Sequence, residues 1–349
     1  MLKRKLCEAV FTWELTCDGP LLIGDGRYEK EEVMKPFEKN EKEKKKRNGW
    51  HPDNFFVNRM ERNPLIDLVR DSGPNAPQIS TTLQFYVPGT SIRGPFRSQA
   101  ERIIRTLLNE NSTNGNFACD PFEDNKDSQM ASCSKRLQEN DPKENKPYNF
   151  ICPACKLFGC AGQASRIIFS DADIKDGKSV YRDMIGIDRF TGGVSTGGDD
   201  GGGANMRVHA IENATFTTTI TVTNFELWQL GLLAYLFRDF EEKRVSIGHG
   251  KTKGFGRIKG EIKEMIFFYP RNDISQIEHM GSLMGSEAER SAYGIKECQA
   301  PLFTGWEKVA DPLSLYTAYR VKDQSKTMFW ETVAPKFNDE MNRLTQETP

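Results

Sequence analysis

Five of the eight cysteines fall between positions 119 and 160. Cys152-Pro-Ala-Cys155 has the spacing of one half of a tetrahedral thiolate site. Cys119 and Cys133 are the natural other half, with Cys160 as a competitor for the fourth position. Such a donor set calls for zinc in a structural role, because four thiolates leave no open coordination position for a substrate. Two other readings stay open: free buried cysteines, and a redox pair, although no thioredoxin-like context surrounds the motif.

A second group of candidates is cationic. In "VPGTSIRGPFRSQAERIIRTLLNE" a helix is expected from Ser91, with Pro95 in its first turn and Ile92, Phe96, Ala100, Ile103 and Leu107 as its apolar stripe. Arg93 and Arg97 then stand one turn apart near its start, where the macrodipole disfavours cations by about 0.3–1 kcal/mol each. An anion bound there would remove the objection; otherwise both arginines lie in solvent. In "VSIGHGKTKGFGRIKGEI", Gly250-Lys251-Thr252 has the look of the end of a phosphate-binding P-loop, but Val245 stands where that motif needs glycine. A dinucleotide fingerprint also fails, because a strand and not a helix follows. What remains is a loop whose backbone can approach a phosphate or ribose, with Lys251, Lys253 and Arg257 for charge and Phe255 as a stacking face. The alternative is a plain turn with surface lysines.

Composition frames these candidates. The 349 residues are 37% hydrophobic and 28% charged, enough for a folded core, and the net charge of -1 excludes a uniformly basic nucleic-acid coat. No apolar run reaches the roughly 20 residues of a membrane span. The start, "MLKRKLCEAVFTWELTC", reads as a first strand and not as a signal peptide. Cysteines this sparse make no disulfide scaffold and point to a reducing compartment, the cytoplasm.

The elements that must position these groups alternate in type. "EAVFTWELTC", "LQFYV", "RIIFSDADI", "TFTTTITVT" and "RIKGEIKEMIFF" read as strands, and "NFELWQLGLLAYLFRDFEEKR" as an amphipathic helix capped by Asn224. The order is that of a split βαβ repeated, an α+β class with a ferredoxin-like arrangement and long insertions. Residues 1–270 form this core. Its insertions are a lysine-rich stretch near 29–58, a polar lid at about 109–160 and a Gly-rich thumb hairpin at about 186–215. In the extension, 271–349, one or two short helices are expected.

Five stretches, "LLIGDG", "VPGTSIRGPFRSQAE", "CKLFG…SRIIFSDADI", "IGIDRFTGGV" and "GKTKGFGRIKGEI", fall in one order over residues 8–266. Together they resemble the RAMP superfamily of CRISPR-associated proteins, and within it the backbone subunit of type III effector complexes. The resemblance implies a ferredoxin-like (RRM-like) core with a zinc-bearing lid and a thumb, stacked in several copies along a guide RNA. It implies guide-phosphate contacts at Ser91, Arg93 and Arg97 and at Lys251, Lys253 and Phe255, with Arg189 in the thumb element. The thumb would wedge between guide–target base pairs. Partners would be the CRISPR guide RNA, target RNA and other effector subunits.

Some such subunits cut target RNA: a loop Asp and a divalent metal, magnesium, assist attack by the target's own 2′-OH. The simplest alignment puts Arg62 where that Asp would stand. Asp25, flanked by glycines at a strand end, is then the candidate catalytic residue, with Asp53 and Asp67 as alternatives. Whether the chain is an endoribonuclease stays open. Two rival readings are a precursor-processing RAMP endonuclease with His249 as general base, and a zinc-bearing scaffold without an RNA role.

Overall fold

A computed structural model describes residues 4–24, 56–57, 59, 85–108, 117–123, 125, 128, 130–139, 147–188, 190–193, 205–270, 274, 276–295, 300–310, 313 and 315–346. The alternation of "EAVFTWELTC" becomes strand β1 (Glu8–Cys17), which buries Ala9, Phe11, Trp13 and Leu15 on one face. In chain order there follow β2 (Tyr86–Val87), α1 (Gly89–Leu107), α2 (Cys133–Glu139), α3 (Pro153–Phe158), β3 (Ile167–Phe169), β4 (Ala172–Ile185) and β5 (Asn205–Thr223). Next come α4 (Leu227–Glu241), β6 (Ile258–Tyr269), α5 (Met280–Leu283), α6 (Glu287–Ala292), β7 (Trp306–Val309), β8 (Thr317–Val321) and α7 (Lys326–Gln346).

Among the described residues the strands form one sheet in the order β2-β4-β5-β1-β6-β8-β7, with β3 also on β5. The pairs are antiparallel; β1 lies between β5 and β6, with Phe11 opposite Ile220 and Met265. Helices and strands are thus mixed along the chain over an antiparallel sheet, an α+β arrangement. Helices α1 and α4 cover the Trp13 face. Trp13 meets the rings of Phe96 from α1 at 5.2 Å and Phe240 from α4 at 5.1 Å, and Phe96 and Phe240 stack at 4.7 Å. Such aromatic pairs add about 0.5–1.5 kcal/mol each beyond area burial, so these rings fix how the helices sit.

Helix α1 begins at Gly89, two residues before the expected Ser91. The reason is tertiary. The Asp171 carboxylate accepts from the Gly89 N–H at 2.8 Å, and a Cβ at Gly89 would stand 2.2 Å from the Phe169 carbonyl oxygen. Pro95 consequently lies in the second turn rather than the first, and the buried stripe ends on Ile104 in place of Ile103 and Leu107. The cap of α4 is also different. Asn224 takes a left-handed φ of 53° and turns its amide to the chain start, accepting from Leu6 N at 2.7 Å and donating to Arg4 O at 2.8 Å. Glu226 caps α4 instead, in a box with Gln229.

Of the thumb hairpin expected at 186–215, the described part of β5 continues a long two-stranded ribbon, while 189 and 194–204 lie outside the described residues. Strands β4 and β5 pair from Asp173↔Thr217 to Ile185↔Asn205. The tail also holds more than the expected one or two short helices. Strand β8 pairs with β6 and extends the sheet to β7, while α7 buries Phe329, Val333, Phe337, Met341 and Leu344. Gly231 lets α7 approach α4 closely, since a Cβ there would sit 2.6 Å from the Val333 carbonyl oxygen. The tail thus packs into the same core as the strands that precede it.

Candidate metal centre and nucleic-acid interface

The Sγ atoms of Cys119, Cys133, Cys152 and Cys155 lie within 4.8 Å of one another, and all four residues are buried. Cys152 and Cys155 arrive on the first turn of α3, Cys133 at the start of α2, and Cys119 on the segment before it. Tetrahedral zinc with bonds of about 2.3 Å requires sulfurs about 3.8 Å apart. The Cys119–Cys155 separation is 3.6 Å, so the cluster fits such an ion. Backbone N–H groups already point at the sulfurs: Cys152 N to Cys133 Sγ at 3.2 Å, Cys155 N to Cys152 Sγ at 3.4 Å, and Cys119 N to Cys152 Sγ at 3.5 Å. Protons are shared unevenly. Hydrogen bonds from Cys119, Cys133 and Cys155 hold the Cys152 thiol well below its usual range, while hydrogen bonds with Cys119, Cys133, Cys152 and Cys160 push Cys155 up. Cys160 stands outside the quartet and is half-buried.

The arginines of α1 turn out to serve this cluster. Arg93, Arg97, Glu101 and Arg105 recur every four residues and so share one helical face. Arg93 donates to the Phe158 carbonyl oxygen. Arg97 donates to Gly159 O at 3.1 Å, to Cys155 Sγ at 3.5 Å and to Glu101 at 2.8 Å. Arg105 donates to Ala118 O at 3.1 Å and Cys119 O at 2.7 Å. The expected anion at the helix start is likewise supplied from within, by Asp171. Ser91 is half-buried and its N–H donates to Pro88 O at 2.9 Å.

The Gly-rich loop has the opposite character. Gly248, Gly250, Gly254 and Gly256 all take positive φ. A Cβ at Gly256 would stand 1.9 Å from Ile247 O, so the loop closes tightly on itself, and one at Gly248 would stand 2.2 Å from Leu22 O, so its backbone is pressed against "PLLIG". His249 N donates to Leu22 O and Gly256 N to Pro20 O, at 2.9 and 2.8 Å. Lys251, Thr252 and Lys253 are left exposed on a single 3-10 turn. Partial burial and then the nearby Arg102 lower the Lys251 pKa. Phe255 is not a stacking face: it is 6% exposed, packed with Leu22, Met184, Val208 and Ala210 at the root of the ribbon. The sequence shows Phe255 beside lysines, but its neighbours come from distant strands.

Near the ribbon tip, Asp188 accepts from Phe190 N at 2.9 Å and from Thr191 N at 2.8 Å. The backbone bond from Thr191 is the main cause that lowers its pKa. This turn presents Phe190 fully exposed and Ile187 70% exposed. Sequence reasoning passed over both; an aromatic residue next to a turn-forming Asp in a Gly-rich stretch was the available signal. At the ribbon's root, His209 is fully buried. Its Nδ1 accepts from Phe56 N at 3.2 Å, which places the proton on Nε2, 2.6 Å from Ser179 Oγ. Burial pushes its pKa down to about 3. Asp25, Asp53, Asp67 and Arg189, and most of the 29–58 insertion, lie outside the described residues.

No helix among the described residues is long and apolar enough to cross a membrane. A family model described as the RAMP superfamily matches residues 14–259, a span that takes in β1, α1, the cysteine cluster, the ribbon, α4 and the Gly-rich loop. No curated protein matches the chain.

Proposed function

The chain belongs to the RAMP superfamily, and from that membership, which carries a CRISPR-associated, RNA-binding role in general terms, we propose that it is a guide-RNA-binding backbone subunit of a type III effector complex. The observation that carries this reading is the family match over 14–259. Three features support its finer terms. The β-α-β-β-α-β series with spatial order β4-β5-β1-β6 suits a ferredoxin-like, RRM-like core. The exposed Lys251–Lys253 turn suits sequence-independent contact with a phosphate backbone. The ribbon tip, with Phe190 and Ile187 in solvent, suits an apolar wedge between stacked bases.

In this reading the four-cysteine cluster holds zinc and gives the lid its shape, Lys251 and Lys253 carry the guide contact, and Ser91 at the start of α1 is a further contact. Arg93 and Arg97 contribute by holding the lid. Arg189 is assigned to the thumb's contact with RNA. Cleavage of target RNA, with Asp25 and magnesium, is the further term of the proposal, and no step is assigned to it. The test is co-purification. Expressed with the other subunits of its complex, the chain is expected to bring down a small RNA of defined length. A chain that assembles yet stays RNA-free overturns the backbone-subunit reading, and no RNA binding at low salt overturns any direct RNA role.

A further inference from the structure

We propose that Arg97 is the outer-shell cation of the four-cysteine centre, donating to the Cys155 sulfur and offsetting the charge that four thiolates leave around a divalent ion. The proposal rests on reading the cluster as a metal centre. Four thiolates around such an ion carry a net charge of about -2 in a buried site, where an unbalanced charge is costly.

The α1 face supplies the balance. Arg93, Arg97 and Arg105 against Glu101 leave two net positive charges, and each arginine reaches a different part of the cysteine frame. Of the three, Arg97 reaches sulfur. Its geometry explains why arginine stands there. Nε is anchored on Glu101, Nη1 on Gly159 O and Nη2 on Cys155 Sγ, so one planar fork meets three acceptors at once. A lysine cannot serve all three. An N–H donated to a metal-bound thiolate draws electron density from sulfur and stabilises the ionised form, as outer-shell partners do elsewhere. Arg97 is thus a positioning residue for the metal.

The probe is Co2+, loaded into the full chain, whose sulfur-to-cobalt charge-transfer band reports the electron density on sulfur; Zn2+ competition gives affinity. Arg97→Gln is expected to move the band to longer wavelength and weaken zinc by about 10- to 100-fold. Arg93→Gln, which loses a bond to the Phe158 carbonyl in the same lid but none to sulfur, is expected to leave the band where it is. A folded Arg97→Gln protein with the wild-type band and affinity overturns the proposal. So does an equal shift in Arg93→Gln, which would make the effect one of general loosening. If Arg97→Gln does not fold, Arg97→Met, which keeps the aliphatic packing but carries no charge and no donor, is read in its place: a shifted band supports the role and an unshifted one overturns it. Wild-type protein that binds neither Co2+ nor Zn2+ overturns the metal reading itself, an outcome distinct from the others.

Discussion

The cysteine lid and the Gly-rich loop both present basic residues beside a tight turn, yet the fold uses them in opposite ways. At the lid, Arg93, Arg97 and Arg105 are consumed by carbonyls, a carboxylate and a sulfur. Charge-assisted bonds of this kind are worth roughly 1.5–3 kcal/mol each, so these arginines are structural. At the loop, the backbone is what is constrained, and Lys251 and Lys253 stand in solvent. A cation is freer to meet a ligand where the fold offers it only a weak acceptor, as with the Met184 sulfur 3.6 Å from Lys253 Nζ.

The comparison can be broken most forcefully from the lid. Cys152→Ala removes the thiol that the other three cysteines contact. It is expected to abolish metal retention and to cost on the order of 10 kcal/mol of lid stability, the scale of structural zinc binding. Metal analysis and thermal unfolding check this; a variant that keeps both metal and melting temperature would show that the cluster does not hold the lid.

A smaller effect is expected at the ribbon root, where the buried group is His209. Its folded pKa of about 3 lies below the unfolded value of 6.5. Between these values the unfolded chain binds the extra proton, so stability is full above pH 6.5 and falls as pH drops through the window. The slope is about 1.4 kcal/mol per pH unit. The physical cause is burial, which strips the water that a charged ring would need. His209→Gln is expected to remove this slope; urea midpoints at pH 7 and about pH 5.5 for both proteins measure it, and equal slopes would refute the linkage.

The smallest effect on stability belongs to the loop. Lys251→Ala with Lys253→Ala is expected to change stability by less than about 0.5 kcal/mol. The same pair is expected to reduce the salt dependence of single-stranded RNA binding, by about 0.7 in the log–log slope per lost phosphate contact. Arg97→Gln should leave that slope alone. If instead the arginine variant lowers it and the lysine pair does not, the two regions have been assigned the wrong way round.

Much was legible in advance. The Cys-x-x-Cys spacing points to a thiolate centre, the alternation in "EAVFTWELTC" to a strand, and the glycines around Lys251 to a loop that runs into a strand. The order of motifs leads to the RAMP superfamily, which the match over 14–259 shows. Each of these depends on residues near one another in the chain, where periodicity and spacing carry the physics.

Other properties depended on neighbours far away in sequence. Arg97 meets Gly159, and Phe255 meets Val208 and Leu22. Gly89 is chosen as the helix start by Asp171, and Asn224 is drawn off to the chain terminus. The tail joins the core because β8 finds the free edge of β6. The amino-acid sequence by itself determined which groups could ionise, ligate or turn the backbone. Only the tertiary structure decided which acceptors each one reaches, because hydrogen bonds and burial act over a few ångströms of space, whatever the separation along the chain.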